Sequence, residues 1–304
     1  MIDIQRVLCP VDFSDCSARA LAYAMHVAVW YGARLQVVHV MPPLPPSTLS
    51  ALAADSRELT TRNLRTLVDR SRLAGVVVET RLIESAEAPQ RILDCAAQFD
   101  ADLIVTGSHG RSGLQRMVLG SVVEALLHRA GRPVLVVPRD LDTLSANNGR
   151  FSKIICAIDF SVASRNALAL ALSIAEESDA RLTLLHVIDT PPELSHAPAP
   201  LDRYVAPIRA QARARSLEQL EELVPEHAAD YCSVETSVLD GGVASQLLRV
   251  AGQRQADLIV MGVHGRNALD LAFFGSNAKD VIRHATCPVL IVPASGRNAA
   301  RLAS

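Results

Sequence analysis

The chain has 304 residues, 49% of them apolar, with 4% aromatic residues and a formal net charge of −2. That length suits two domains better than one, and the near-neutral charge excludes a general electrostatic attraction to nucleic acid or to an acidic membrane surface. No apolar run approaches the ~20 residues of a membrane span, and the opening MIDIQRVLCP lacks the pattern of a signal peptide, so a cytoplasmic protein is expected that binds neither membrane nor nucleic acid.

The first apolar run, RVLCPV at 6–11, reads as a strand. Behind it, Leu21, Met25, Ala28 and Val29 recur at the spacing of a one-faced helix, with Ser14 placed to cap it. Further strands are expected at 35–40, 76–82, 103–106 and 134–137. The runs are continuous in Val, Ile and Leu rather than alternating with polar residues, which suits a parallel sheet covered on both faces. Strand–helix succession with right-handed crossovers then predicts an α/β, doubly wound fold.

The pattern occurs twice. RVLCPVDFS at 6–14 matches KIICAIDFS at 153–161, and ARLQVVHV at 33–40 matches ARLTLLHV at 180–187, both 147 residues on. DLIVTGSHG at 102–110 matches DLIVMGVHG at 257–265 at an offset of 155, so the second half carries a net eight extra residues between Val187 and Asp257. Leu168, Leu172 and Ala175 repeat the helical stripe, and Ser161 repeats the cap. The polar LDTLSANNGR at 141–150 reads as a linker, which gives domains at 1–140 and 151–295 and a tail at 296–304. The six cysteines include no C-x-x-C pair and read as small buried hydrophobes, with no metal site expected.

In an open parallel sheet, ligands sit beyond the carboxyl ends of the strands where the strand order reverses. Asp12 and Asp159 follow the first strand of each half, and Gly107 and Gly262 follow the fourth. If those strands are neighbours, carboxylate and glycine loop face one another. Gly107 and Gly110 allow positive φ and close approach of backbone to a ligand. Gly120 and Ser121 open a helix whose free N–H groups and dipole suit phosphate, while Asp12 suits ribose hydroxyls. The structural alternative is a capping box, Ser121 with Glu124, that closes the helix end by itself. Gly262, Gly265, Gly275 and Ser276 repeat the spacing. His109 and His264 could contact phosphate or simply brace their loops.

These motifs together resemble the universal stress protein family in its tandem two-domain form. The family pattern G-x2-G-x9-G-[ST] fits Gly107, Gly110, Gly120 and Ser121, and again Gly262, Gly265, Gly275 and Ser276. Its early aspartate corresponds to Asp12 and Asp159, its H-V pair to His39–Val40 and His186–Val187, and its closing strand to 133–138 and 288–293.

The resemblance implies strand order 3-2-1-4-5 in each five-stranded sheet, as in adenine nucleotide alpha hydrolase-like folds. It also implies ATP, with Mg2+, in each domain. The first site would comprise Pro10, Val11, Asp12, Val40, Thr106, Gly107, His109, Gly110, Arg111, Arg116, Gly120, Ser121 and Val122. The second would comprise Ala157, Ile158, Asp159, Val187, Met261, Gly262, His264, Gly265, Arg266, Gly275, Ser276 and Asn277. Adenine would lie near Val11 and Val40. Pairing of the last strands would make the chain an intramolecular pseudo-dimer, able to form a homodimer of tandem chains.

Arg111 and Arg116 in the first loop, against Asp270 and Leu271 in the second, lean towards a tighter first site. No P-loop lysine, zinc-protease or nucleophile-elbow motif appears, so no catalytic residue is assigned. The expected role is stress-responsive ATP binding read by a regulatory protein partner. The alternatives are slow ATP hydrolysis, or a scaffold or apolar-ligand carrier without nucleotide, resting on the proline-rich segments at 41–50 and 190–200.

Overall fold

The computed structural model describes residues 4–45, 50–110, 119–139, 141, 150–189, 199–226, 228, 231–263 and 275–294. Most of the expected linker, the tail at 296–304 and parts of both proline-rich segments lie outside the described residues. The chain divides into two compact units, Asp3–Arg150 and Phe151–Ser304. The first contains β1 (Arg6–Pro10), α1 (Asp15–Tyr31), β2 (Arg34–Met41), α2 (Ser50–Ser71), β3 (Val78–Glu84), α3 (Ala88–Gln98), β4 (Leu103–Gly107), α4 (Ser121–Arg129) and β5 (Val134–Val137). The second contains β6 (Lys153–Ala157), α5 (Val162–Ser178), β7 (Arg181–Ile188), α6 (Ala199–Glu222), β8 (Ser233–Asp240), α7 (Val243–Arg254), β9 (Leu258–Gly262), α8 (Ser276–His284) and β10 (Val289–Val292).

All these strand pairs are parallel. In the first unit β1 pairs with β2 and β4, β2 with β3, and β4 with β5, which gives the order β3-β2-β1-β4-β5. The second unit repeats it as β8-β7-β6-β9-β10. Right-handed crossovers place α1 and α2 on one face and α3 and α4 on the other, and the helices pack in those pairs. Covered twice, the central strands are buried along their length: Val7, Leu8 and Cys9 of β1 have no exposed surface. Among the described residues no helix is long and apolar enough to cross a membrane.

Two local expectations shift. The third strand, expected at 76–82, runs from Val78 to Glu84 because its register with β2 carries pairing from Leu35↔Val78 to Met41↔Glu84. Ladder hydrogen bonds with a long partner strand outweigh the apolar pattern there. In α1, Leu21, Met25 and Ala28 are buried as expected, but Val29 is 46% exposed. At 3.6 residues per turn it lies about 80° round from Leu21, beyond the buried stripe that Ala24 and Val27 complete.

The aspartate opening each fourth strand pins the opposite end of the sheet. Asp102 Oδ2 accepts the backbone N–H groups of Gln5 and Arg6 at 3.0 and 2.9 Å. Asp257 accepts from Ser152 N, Ser152 Oγ and Lys153 N at 2.8, 2.7 and 2.9 Å. A charged acceptor bound to two partly buried backbone donors contributes more than a neutral bond, and its loss strands the donors. Asp102→Ala is therefore expected to destabilise the protein by about 2–4 kcal/mol, and Asp102→Asn, which keeps one acceptor oxygen, by less than half of that. Urea unfolding of the two variants measures the difference.

All six cysteines are buried and unpaired. Burial drives the Cys9 and Cys156 thiols strongly upward, and burial with the nearby Asp257 charge pushes Cys287 up to about 12 from its ordinary 9.0. The folded thiol stays neutral while the unfolded one ionises. Its stabilising contribution is therefore complete below about pH 9 and is lost as pH climbs from there towards the folded value. Once the unfolded thiol has ionised, each such group removes about 1.4 kcal/mol per pH unit. Stability is expected to fall steeply at about pH 10, and Cys287→Ala should flatten that fall relative to the parent. Urea titrations at about pH 8 and pH 10 test this; identical pH dependence in parent and variant would refute it.

Candidate functional site

The site forms where β1 and β4 end side by side. The β1–β2 ladder continues one residue past β1, Val11 N donating to Val38 O at 2.9 Å. The chain then turns sharply into α1. Asp12 Oδ1 accepts from Ser14 N at 3.0 Å and from Ser14 Oγ at 2.6 Å, while Asp12 N donates to Ser17 Oγ at 3.3 Å. Ser14 in turn caps α1, its hydroxyl accepting from Ser17 N at 3.2 Å. Between them Phe13 adopts φ +65°, a left-handed conformation that costs a non-glycine residue roughly 1–2 kcal/mol. The second unit repeats the turn: Ile158 N donates to Leu185 O, Ser161 N donates to Asp159 Oδ1 at 3.0 Å, Ser161 caps α5, and Phe160 has φ +65°.

The glycines serve two different ends. Neither Gly107 nor Gly110 adopts positive φ, so the expectation of left-handed backbone at those positions is corrected. Gly107 is required by packing. A Cβ there would lie 2.7 Å from Cys16 Sγ and 3.0 Å from the Cys16 backbone, in the first turn of α1. Gly262 meets Ala163 and Ser164 of α5 in the same way, at 2.8 and 2.9 Å. Gly110 instead faces the carboxylate: its Cβ would stand 2.6 Å from Asp12 Oδ2. The adjacency of β1 and β4 thus sets carboxylate and glycine loop against each other.

Gly120 folds back onto the same loop, its N–H donating to Ser108 O at 3.3 Å. A Cβ on Gly120 would be 3.8 Å from Gly110 N, so the start of α4 lies beside the loop amides. Gly120 is the N-cap of α4 and carries no capping side chain. Ser121 is already the first helical residue, and the S-x-x-E capping box expected from Ser121 and Glu124 does not form, because that box needs its serine one position earlier. Gly275 caps α8 in the same manner, its Cβ position 3.6 Å from Val263 O. His109 Nδ1 lies 2.9 Å from Ser108 Oγ, a bond within the loop.

One sheet edge therefore gathers Pro10, Val11 and Asp12 after β1, Val40 on β2, Thr106 and Gly107 on β4, His109 and Gly110, and Gly120, Ser121 and Val122 at α4. The second unit gathers Ala157, Ile158, Asp159, Val187, Met261, Gly262, Gly275, Ser276 and Asn277 correspondingly. Arg111, Arg116, His264, Gly265 and Arg266 lie outside the described residues, as do Asp270 and Leu271. Sequence reasoning used His39 and His186 only as markers of a strand end. In the structure each is buried with Nδ1 2.7 Å from the carbonyl oxygen of Val11 or Ile158. Their recurrence at the duplication offset was the available signal.

A sequence model of the universal stress protein family matches residues 3–138 and 150–293. A universal stress protein of Mycolicibacterium smegmatis is 28% identical over 305 residues, covering 94% of this chain and 96% of that protein. One from Methanocaldococcus jannaschii is 30% identical over 142 residues, covering 47% of this chain and 82% of its own length. The crystal structure of a universal stress protein from Archaeoglobus fulgidus aligns with a TM-score of 0.71 at 21% identity, covering 96% of this chain and 97% of that one, which speaks for a common fold. Two successive family matches that together take in nearly the whole chain, on a fold with the strand order described above, place this protein in the universal stress protein family.

Proposed function

We propose that each unit binds one ATP at this edge and that the bound state, rather than turnover, is the protein's output. The observation that carries the reading is the approach of Gly110 to Asp12 Oδ2, with the start of α4 beside the same loop. A carboxylate oxygen accepts hydrogen bonds and suits the two hydroxyls of a ribose. Loop amides and the first turn of a helix donate, and suit phosphate oxygens. The two halves of a nucleotide thus meet complementary chemistry within one crevice, and Mg2+ would arrive on the phosphates. Adenine would rest on the apolar side formed by Val11 and Val40. The second unit offers Ile158, Asp159, Val187 and Gly275 in the same places, so a chain of two such units carries two sites.

This role needs no nucleophile or base, and a regulatory protein partner that distinguishes loaded from empty chains would read the result. Within the loop, His109 is engaged by Ser108, which favours bracing over proton transfer.

Protein denatured after purification is expected to release about two adenine nucleotides per chain, and ATP at 100 times its Kd should stabilise each unit of an emptied chain by about 2.7 kcal/mol. Gly110→Ala displaces the Asp12 carboxylate without touching the core and should weaken the first site at least about ten-fold, a loss of about 1.4 kcal/mol. Isothermal titration would then show one strong site in place of two. A chain that comes away empty, and whose melting temperature ATP leaves unchanged, would sink the nucleotide reading. Release of ADP would redirect it towards slow hydrolysis.

A further inference from the structure

We propose that His39 and His186 are positioning residues of the two nucleotide sites, each imidazole holding the strand-to-helix turn that presents Asp12 or Asp159. The inference rests on the nucleotide reading of the crevice. Each ring touches its turn at two points, one on either side of the aspartate. Before the aspartate, Nδ1 lies 2.7 Å from the carbonyl oxygen of Val11, and at the same distance from that of Ile158. A carbonyl only accepts, so Nδ1 carries the proton and the bond fixes the plane of the peptide leading into Asp12 or Asp159. After the aspartate, the Phe13 ring packs against His39 with centroids 4.5 Å apart, and Phe160 against His186 at 4.7 Å.

Those phenylalanines are the residues at φ +65°. A phenylalanine seldom adopts that conformation unless its surroundings hold it there, and here its ring rests on the imidazole. With the backbone set on both sides, Asp12 Oδ1 is taken by Ser14 and Oδ2 faces Gly110.

Strand pairing does not need this bond. The β1–β2 register already runs to Pro10↔Val38, and Val11 N continues it to Val38 O. The histidine acts beyond the ladder, on the turn alone. An apolar side chain on β2 would fill the same buried place without a polar group to desolvate. Both units nevertheless keep the histidine, the carbonyl distance and the left-handed phenylalanine, although Pro10 and Val11 have become Ala157 and Ile158.

The test compares full-length His39→Leu, which keeps bulk but loses the donor, with His39→Asn, whose amide nitrogen can stand in for Nδ1. ATP titration of His39→Leu should weaken the first site roughly ten-fold or more while the second changes by less than about two-fold. His39→Asn should recover most of the affinity. Hydrogen exchange in the nucleotide-free chain should show residues 11–17 opening faster in the leucine variant only. Phe13→Gly should weaken ATP binding without lowering the melting temperature, because glycine relieves the left-handed backbone while removing the ring contact.

Wild-type ATP affinity and unchanged exchange in His39→Leu would overturn the assignment and leave the nucleotide reading standing. Affinity lost only in step with melting temperature, with no rescue by asparagine, would reduce the histidine to a core residue and also overturn it. A parent chain that binds no ATP would refute the nucleotide reading and, with it, the site role. The exchange data would then report separately whether the imidazole holds the turn.

Discussion

Pairing of β1 with β4, and of β6 with β9, is the constraint on which everything at the opposite sheet edge depends. Sequence order would separate these strands by two others; the doubly wound path brings them together at the point where the crossovers change direction. An aspartate, buried at Asp102 and half-buried at Asp257, fastens the pair at its far end. Asp102 and Asp257 take backbone N–H groups of the first residue of β1 and β6 and of the residue just before it, so each fourth strand cannot slide along its neighbour without stranding donors. With register fixed there, the carboxyl ends arrive level. Asp12 from one strand and Gly110 from the other then meet within van der Waals reach.

The glycine pattern divides into separate demands once the geometry is known. Gly107 and Gly262 let a helix lie directly on the end of a strand, and the atoms they spare are Cys16 in one unit and Ala163 in the other. Gly110 spares the carboxylate, and Gly120 and Gly275 begin helices without a capping side chain. Only the last two demands bear on a ligand. The first would persist in a copy of the fold that bound nothing, so the spacing alone does not separate inherited architecture from a working site. Asp12, Gly110 and a helix start whose N-cap glycine brings no side chain are the features on which the proposed nucleotide site rests.

Much of the fold was legible in the residues. The duplication, the central strands and the two serine caps follow from runs and offsets that physics ties to buried parallel strands and helix starts. The strand order was not legible from pattern and came with the family resemblance. Some details were hidden for identifiable reasons. The third strand was displaced because its partner, not its own hydrophobicity, sets its extent. The capping box failed by one residue, since S-x-x-E does not reveal which position leaves helical geometry. Phe13 and Phe160 gave no hint of left-handed backbone, because phenylalanine rarely adopts it and the rings they meet lie on another strand, at His39 and His186.

At one edge of each five-stranded sheet, β3 and β8 carry charge where the interior strands carry valine and leucine. Glu79 pairs with Arg34, Glu84 with Arg57, and Glu235 with Arg254. Each pair contributes little to stability in so exposed a position. Its larger effect concerns other molecules. A row of unpaired strand amides is a template on which a further strand can form, and a bare apolar edge invites growth into aggregates. Glutamates on these two edge strands, met by guanidiniums from β2, α2 and α7, make such an addition pay for burying charge.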